Sequence, residues 1–139
     1  MWNYEIERLL HSNYTFIGCY PNDKLPKIEK ESNISIIINT GNSESLGEHW
    51  VAIRMTRDKC FYFDSFGKEI INENIKHFAN MYKNVIYSER CIKDIQSVKC
   101  GEFCIAFVNN VNSIKNYKHF MNAFSENLYI YDFIVYHFI

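Results

Sequence analysis

The sequence has few glycines and prolines, almost no net charge and no long apolar run. Five glycines and two prolines among 139 residues leave little room for flexible linkers, so we expect a single domain over residues 1–139. A formal net charge of −1 argues against a broad basic surface for nucleic acid. No apolar stretch approaches the roughly 20 residues of a membrane span, and residues 1–5 lack the features of a signal peptide. These absences predict an intracellular protein without a membrane partner.

The five cysteines do not form the pattern of a disulfide framework or a zinc site. Their number is odd and a reducing compartment is expected, so a disulfide framework is not predicted. A structural zinc ion would need paired cysteines with matching cysteine or histidine pairs, whereas Cys100 and Cys104 have no histidine pair beside them. We therefore expect no metal, and we expect most of the thiols to be buried.

Hydrophobic periodicity predicts a mixed α+β domain. β-branched and alternating runs predict strands over 34–39, 50–55, 60–64 and 84–87, with a turn at 56–59. Apolar and amphipathic runs predict helices over 4–11, 72–81, 101–111, 115–127 and 128–138. Glycine and proline punctuate residues 13–27, which are predicted to form a loop, and residues 88–99 are predicted to be mostly irregular.

His49 and Asp64 lie at the ends of two predicted strands. His49 stands where a loop enters the strand 50–55, and Asp64 stands where the strand 60–64 ends. If the strands form a hairpin, antiparallel pairing brings the two side chains together. A carboxylate beside an imidazole fixes its tautomer and stabilises the imidazolium. Taken alone, the two residues are better explained as an exposed histidine and a turn-forming aspartate.

Cys100 precedes the apolar helix predicted over 101–111. Its sulfur is expected near the first-turn N–H groups and the positive end of the helix dipole, which favour a thiolate. Gly101 follows directly and allows close backbone approach by a substrate. Gln96, four residues before Cys100, carries an amide that could stabilise an oxyanion. The residues alone also allow a helix-terminal thiol without a role and a surface glutamine.

Three segments together resemble the adenain family, the cysteine proteases of adenoviruses and related mobile elements. These segments are GEHWVAI at 47–53, CFYFDSFG at 60–67, and Gln96 followed by CGEFC at 100–104. The resemblance extends to 16–20 and 36–41, and it covers most of residues 14–112. The adenain family is similar in core to the ubiquitin-like-protein proteases. The resemblance implies a single-domain cysteine protease fold, with a central mixed sheet flanked by helices and the nucleophile at the N-terminus of a buried helix.

The resemblance also implies a role for each candidate residue. His49 is the general base, Asp64 its orienting carboxylate, Gln96 an oxyanion donor and Cys100 the nucleophile. Trp50 is implied to lie near the substrate groove with Gly101, although a plain core aromatic explains Trp50 nearly as well. The hairpin turn is two residues shorter than the family usually has, and an even deletion keeps the side-chain faces unchanged. The gap between Gln96 and Cys100 is also short.

The implied function is a cysteine endopeptidase that forms an acyl-enzyme and cuts virion precursor proteins at glycine-containing sites. A deconjugating protease for ubiquitin-like modifiers is the alternative. A non-enzymatic binding module is disfavoured by the co-occurrence of His49, Asp64 and Cys100. The expected setting is the cytoplasm or nucleus of a host cell, and packaging in the virion.

Adenain is activated by a short viral peptide, which forms a disulfide with a cysteine between the acidic residue and the glutamine. Residues 88–92 resemble that local sequence, so Cys91 is the candidate attachment point for an activating peptide; a cysteine tucked under the loop is the alternative. No other cofactor is expected. Adenain also uses DNA, which the near-neutral charge here supports little. Six basic residues are expected to be ordinary solvated positions: Lys24, Lys27, Lys30, Arg54, Arg57 and Lys59.

Overall fold

The computed structural model describes residues 1–41, 49–82, 84–88, 90–92 and 99–124. In chain order the elements are α1 (Asn3–Leu9), β1 (Phe16–Pro21), β2 (Ile34–Asn39), β3 (Trp50–Met55), β4 (Cys60–Phe63), α2 (Glu73–Ala79), β5 (Val85–Tyr87), α3 (Cys100–Asn110) and α4 (Ile114–Asn122). None of these helices is long and apolar enough to cross a membrane.

The five strands form one sheet in the order β1-β2-β3-β4-β5. The two outer pairs, β1–β2 and β4–β5, are parallel, and the two inner pairs are antiparallel. The inner strands are the most apolar: the isoleucines 36–38 of β2 have no exposed surface, and all of β3 is buried. Helices cover both faces, so the inner strands β2, β3 and β4 have no solvent-facing side. The α+β class and the mixed sheet flanked by helices are confirmed.

Each sheet face has its own hydrophobic core. On one face, Phe61 and Phe63 pack with α1, α3 and α4, and the Phe63 ring stacks on Phe107 with centroids 4.7 Å apart. On the other face, Tyr62 and neighbouring residues pack against α2. We call these the α3 face and the α2 face. Helix α3 is apolar nearly all round because it is covered on several sides, with residues 101–108 buried.

The prediction of a loop over residues 13–27 is wrong for residues 16–21. They form β1, which pairs in parallel with β2 through a register shift between Phe16 and Gly18. Gly18 has φ +145°, a conformation that favours glycine, and Pro21 ends the strand. The residues that suggested a loop are therefore those that allow an irregular edge strand.

The remaining elements lie within a few residues of their predicted bounds. Strands β2 and β3 have the predicted bounds, and the predicted turn is closed by Thr56 N donating to Lys59 O over 2.8 Å. Helix α4 ends at Asn122. The predicted helix over 128–138 lies outside the described residues. The single domain over 1–139 stays a prediction.

Arg54 is a buried residue, so the prediction that it is solvated is wrong. It is 2% exposed at the middle of the sheet. Its guanidinium donates to Met55 O over 2.6 Å and Ile34 O over 3.2 Å, and to Asn112 Oδ1 over 2.9 Å. Burial lowers the pKa of Arg54 from its usual value. Carbonyl oxygens thus replace water around this charge.

Replacing Arg54 with methionine should lower the free energy of unfolding by about 2–4 kcal/mol, because several buried oxygens lose their donor. Urea denaturation measures this change. Arg57 lies in the exposed hairpin turn of the same strands, so Arg57→Met is the matched control and should change stability by less than about 0.5 kcal/mol. Equal stability of the two variants would contradict the structural role of Arg54.

Candidate active site

His49 and Asp64 are in contact at one end of the β3–β4 hairpin. His49 immediately precedes β3 and Asp64 immediately follows β4. Antiparallel pairing therefore brings both residues to the same end of the hairpin. His49 Nε2 lies 2.7 Å from Asp64 Oδ1. The side chains are 22% and 7% exposed. The predicted proximity of the two residues is therefore observed, and it depends on the hairpin register.

The backbone of Asp64 is held by Ser88, which follows β5. Asp64 N donates to Ser88 Oγ over 2.9 Å, and Ser88 Oγ donates to Asp64 O over 3.0 Å. Asp64 Oδ1 also accepts from Phe66 N over 2.9 Å, which fixes the carboxylate toward His49. Sequence reasoning missed Ser88, since a serine after a short edge strand carries no distinguishing pattern.

The backbone of His49 is held by Thr40, which follows β2. Thr40 N donates to His49 O over 2.8 Å, and His49 N donates to Thr40 Oγ1 over 3.2 Å. Asn22 in turn donates to Thr40 O over 2.8 Å. These bonds continue the β2–β3 pairing to the histidine. The sequence offered only one signal for Thr40, namely that it follows a buried strand.

Cys100 is the first residue of α3, and its side chain interacts with the imidazole of His49. Because Nε2 of the ring is engaged by Asp64, Nδ1 is the nitrogen available to face the sulfur. The helix begins at Cys100 itself, so the thiol stands at the positive end of α3. The structure thus brings His49, Asp64 and Cys100 together.

The imidazole of His49 is positively charged at neutral pH. Burial alone lowers its pKa, but the hydrogen bonds and charges of Asp64 and Cys100 outweigh burial and raise the pKa from 6.5 to about 9. A positive imidazolium beside a sulfur favours the thiolate in return. The site therefore places a thiol and an imidazolium side by side.

The other described thiols differ from Cys100. Burial raises the pKa of Cys60 to about 12, and burial with the nearby charge of Glu7 does the same for Cys19. Cys104 is buried, whereas Cys91 is exposed. Buried thiols of this kind are poor nucleophiles, and Cys100 differs from them in its pairing with His49.

Trp50 and Gly101 lie together beside the N-terminal residue. Trp50 is 6% exposed within the core of the α3 face, and its Nε1 donates to Met1 O over 3.3 Å. A Cβ at Gly101 would lie 3.0 Å from Met1 Sδ. The core position of Trp50 fits the plain aromatic alternative, and the predicted substrate contacts of both residues stay predictions.

The segment bearing Cys91 packs on the turn that bears Asp64. Ile92 N donates to Ser65 O over 2.9 Å. Gly67 has φ +69° and its missing Cβ leaves room for the backbone of Arg90. A side chain at position 67 would collide with that backbone. Glycine is therefore required both by the positive φ and by the lack of space for a Cβ. Gln96, the predicted oxyanion donor, lies outside the described residues.

No metal site accompanies these groups in the described ranges: they contain no cluster of three or more histidine, cysteine, aspartate or glutamate side chains able to hold an ion. A thiol paired with an imidazole that a carboxylate orients is the constellation of cysteine hydrolases. Comparison with known proteins gives the family. The family model described as adenovirus endoprotease matches residues 16–135, and the chain belongs to that family.

Several curated relatives are adenovirus proteins named "Protease". The chain is 33% identical to that of bovine adenovirus 4, in a match covering 86% of this chain and 65% of the relative. It is 30% identical to that of snake adenovirus serotype 1, in a match covering 73% of this chain and 58% of the relative. The chain thus spans less than two thirds of the length of these relatives.

Among solved structures, the ASFV pS273R protease has a similar fold. One crystal structure superposes with a TM-score of 0.55 at 17% identity, covering 97% of this chain and 66% of that one. A second gives a TM-score of 0.52 at 18% identity. At such low identity the likeness concerns the fold alone.

Proposed function

We propose that the protein is a cysteine endopeptidase. The observation that carries this proposal is the contact of His49 with both Asp64 and Cys100, where the thiol begins a buried helix. In this proposal Cys100 is the nucleophile, His49 the proton carrier and Asp64 the group that orients and charges His49. Membership of the adenovirus endoprotease family supports it.

The proposed reaction begins with the thiolate of Cys100 attacking the carbonyl carbon of the scissile peptide bond. A carbon–sulfur bond forms and the carbonyl electron pair moves to oxygen. The positive end of α3 stabilises this oxyanion, and Gln96 is the proposed side-chain donor. When the carbon–nitrogen bond breaks, the His49 imidazolium gives its proton to the leaving amine.

The resulting thioester is then hydrolysed. Neutral His49 accepts a proton from the attacking water, and the tetrahedral species collapses to expel the Cys100 thiolate. The acid product enters solution and the ion pair is restored. Asp64 keeps Nε2 of the ring occupied in both steps, so Nδ1 alone faces the reacting atoms.

The proposed substrates are virion precursor proteins with glycine near the cut, and the proposed setting is the infected cell and the virion. The adenovirus relatives, each named "Protease", support the viral setting. No observation in the described residues favours modifier deconjugation instead.

The test incubates the protein in parallel with a glycine-containing peptide library and with conjugates of ubiquitin-like modifiers. We expect cleavage of peptides by the wild type and none by Cys100→Ala. Exclusive cleavage of the conjugates would replace the endopeptidase proposal with the deconjugase. Absence of both activities, with and without a virion peptide, would overturn the assignment of a protease.

We also propose that Cys91 is the attachment point of an activating peptide. Its thiol is exposed, and the backbone of 90–92 packs on the turn after Asp64. A peptide linked at Cys91 would therefore act on the turn that orients His49.

A cysteine-bearing peptide from a virion protein of the same virus should stimulate turnover by roughly 5–150-fold, the usual range for coupling between sites. Non-reducing mass spectrometry should find it linked to Cys91. Stimulation should be lost in Cys91→Ser and kept in Cys19→Ser, whose thiol is half-buried. Full activity of the isolated protein, unchanged by Cys91→Ser, would exclude this regulation.

A further inference from the structure

A cleft of about 810 Å³ lies against the catalytic pair on the α2 face of the sheet. His49 and Asp64 form one wall, and Phe66, Ile71 and Ile75 supply apolar surface. The Phe66 ring lies 5.1 Å from the His49 ring. Ile71 is 85% exposed, whereas Ile75 is 1% exposed and forms part of the core beneath.

Cys100 lies on the other side of the histidine. It packs with the core of the α3 face, whereas Tyr62 and Ile75 of the cleft belong to the core of the α2 face. His49 lies between the α3 face and the α2 face, at the start of β3. The cleft is therefore separated from the nucleophile by the imidazole ring.

This placement decides which half of a substrate reaches the cleft. The carbonyl carbon must meet the sulfur, while the leaving nitrogen must meet the imidazolium that protonates it. The chain that follows the scissile bond then continues past His49, toward the cleft. Two extended residues span about 6–7 Å, enough to carry a side chain beyond the ring.

The lining favours an apolar side chain. Two polar side chains of the cleft are already engaged: Thr40 Oγ1 accepts from His49 N and Asn72 Oδ1 accepts from Ile75 N. Lys68 and Glu69 carry opposite charges, so a charged side chain of either sign meets one attraction and one repulsion. Apolar burial against Phe66 and Ile71 is therefore the main source of selectivity that we assign to the cleft.

We propose that this cleft is a specificity pocket for the leaving half of the substrate, and that it takes a bulky apolar side chain from the first two residues after the scissile bond. The pocket rests on the proposed endopeptidase function and adds a substrate preference to it. Ile71 is its most exposed apolar contact and its specificity-determining residue.

The test uses peptides that share one acyl half ending in glycine and carry leucine or serine at the first or second position after the cut. We expect kcat/KM to favour leucine by at least about tenfold at one of these positions. Ile71→Ser should bring that ratio close to one. Ile17→Ser, an exposed isoleucine on β1 outside the cleft, should keep the wild-type ratio.

Equal cleavage of leucine and serine peptides by the wild type, or a preference that survives Ile71→Ser, would overturn the pocket. A second substrate, the aminomethylcoumarin amide of the same acyl half, distinguishes failure of the pocket from failure of the endopeptidase function. Its turnover by the wild type, without leucine preference among the peptides, rejects the pocket alone. If neither the amide nor any peptide is cleaved, with or without the activating virion peptide, the proposed endopeptidase function fails and the pocket with it.

Discussion

Replacing Cys100 with alanine should lower kcat/KM by about 10⁴ or more, because Cys100 is the thiol that pairs with His49 and forms the proposed covalent intermediate. Any remaining rate comes from binding and oxyanion stabilisation, which do not need the sulfur. Steady-state kinetics on a glycine-containing peptide measures the loss.

Thermal unfolding controls for folding in this experiment. Removing a sulfur at the start of α3 leaves the apolar contacts of residues 103–108 in place, so the melting temperature should stay close to that of the wild type. Cys100→Ser keeps a hydroxyl at the same position and should be nearly as inactive, since serine lacks a thiolate. Substantial turnover by either folded variant would contradict the nucleophile assignment.

Replacing Asp64 with asparagine should lower kcat by roughly 10³–10⁴ near neutral pH, because an amide no longer fixes the tautomer and orientation of the ring and no longer stabilises the imidazolium. The carboxylate is a main cause of the raised pKa of His49. Without it, burial and the weaker pairing pull that pKa down, so the imidazolium is lost at lower pH. The variant should therefore lose its proton donor within the range where the wild type is active.

The pKa of His49 sets the alkaline limb of the pH profile, and the loss of Asp64 should shift that limb to lower pH. In the wild type, kcat/KM should fall as pH rises through about 9, where His49 deprotonates. In Asp64→Asn the same limb should move to lower pH. The stability that the charged pair contributes is likewise full below about 6.5 and lost as pH rises through about 9.

Asp58→Asn is the matched control for this change. Asp58 lies in the exposed turn of the same hairpin and pairs with Lys59 over 3.0 Å. The Asp58→Asn variant should leave the pH profile unchanged, because exposed ion pairs contribute little and this pair lies at the other end of the hairpin from the His49 ring. An alkaline limb that stays in place in Asp64→Asn would show that another group sets the charge of His49.

The sequence predicted the central hairpin and the proximity of His49 and Asp64 because both depend on local patterns. Alternating apolar residues fixed the bounds of β3, and a four-residue turn fixed the register that brings His49 to Asp64. The apolar run after Cys100 similarly required a buried helix. Such features are set by side-chain period and turn length, which a single sequence displays.

The features that the sequence concealed depend on distant partners. Gly18 and Pro21 suggested a loop, yet β1 forms because β2 offers it an edge. Arg54 is charged, yet it is buried because Ile34 O and Asn112 accept its donors. Ser88 holds Asp64 across 24 residues of chain. None of these pairings leaves a local pattern, so only the folded chain reveals them.

The most direct test of the pairing between Cys100 and His49 is alkylation of the native protein. Iodoacetamide is applied at mildly acidic pH, and peptide mass spectrometry identifies the labelled cysteines. A thiolate held by an imidazolium reacts where ordinary thiols are protonated. We expect Cys100 to be labelled first among the five cysteines, and its lead over exposed Cys91 to shrink in Asp64→Asn. Labelling of Cys91 ahead of Cys100 in the wild type, or preferential labelling of Cys60 or Cys104, would contradict the account.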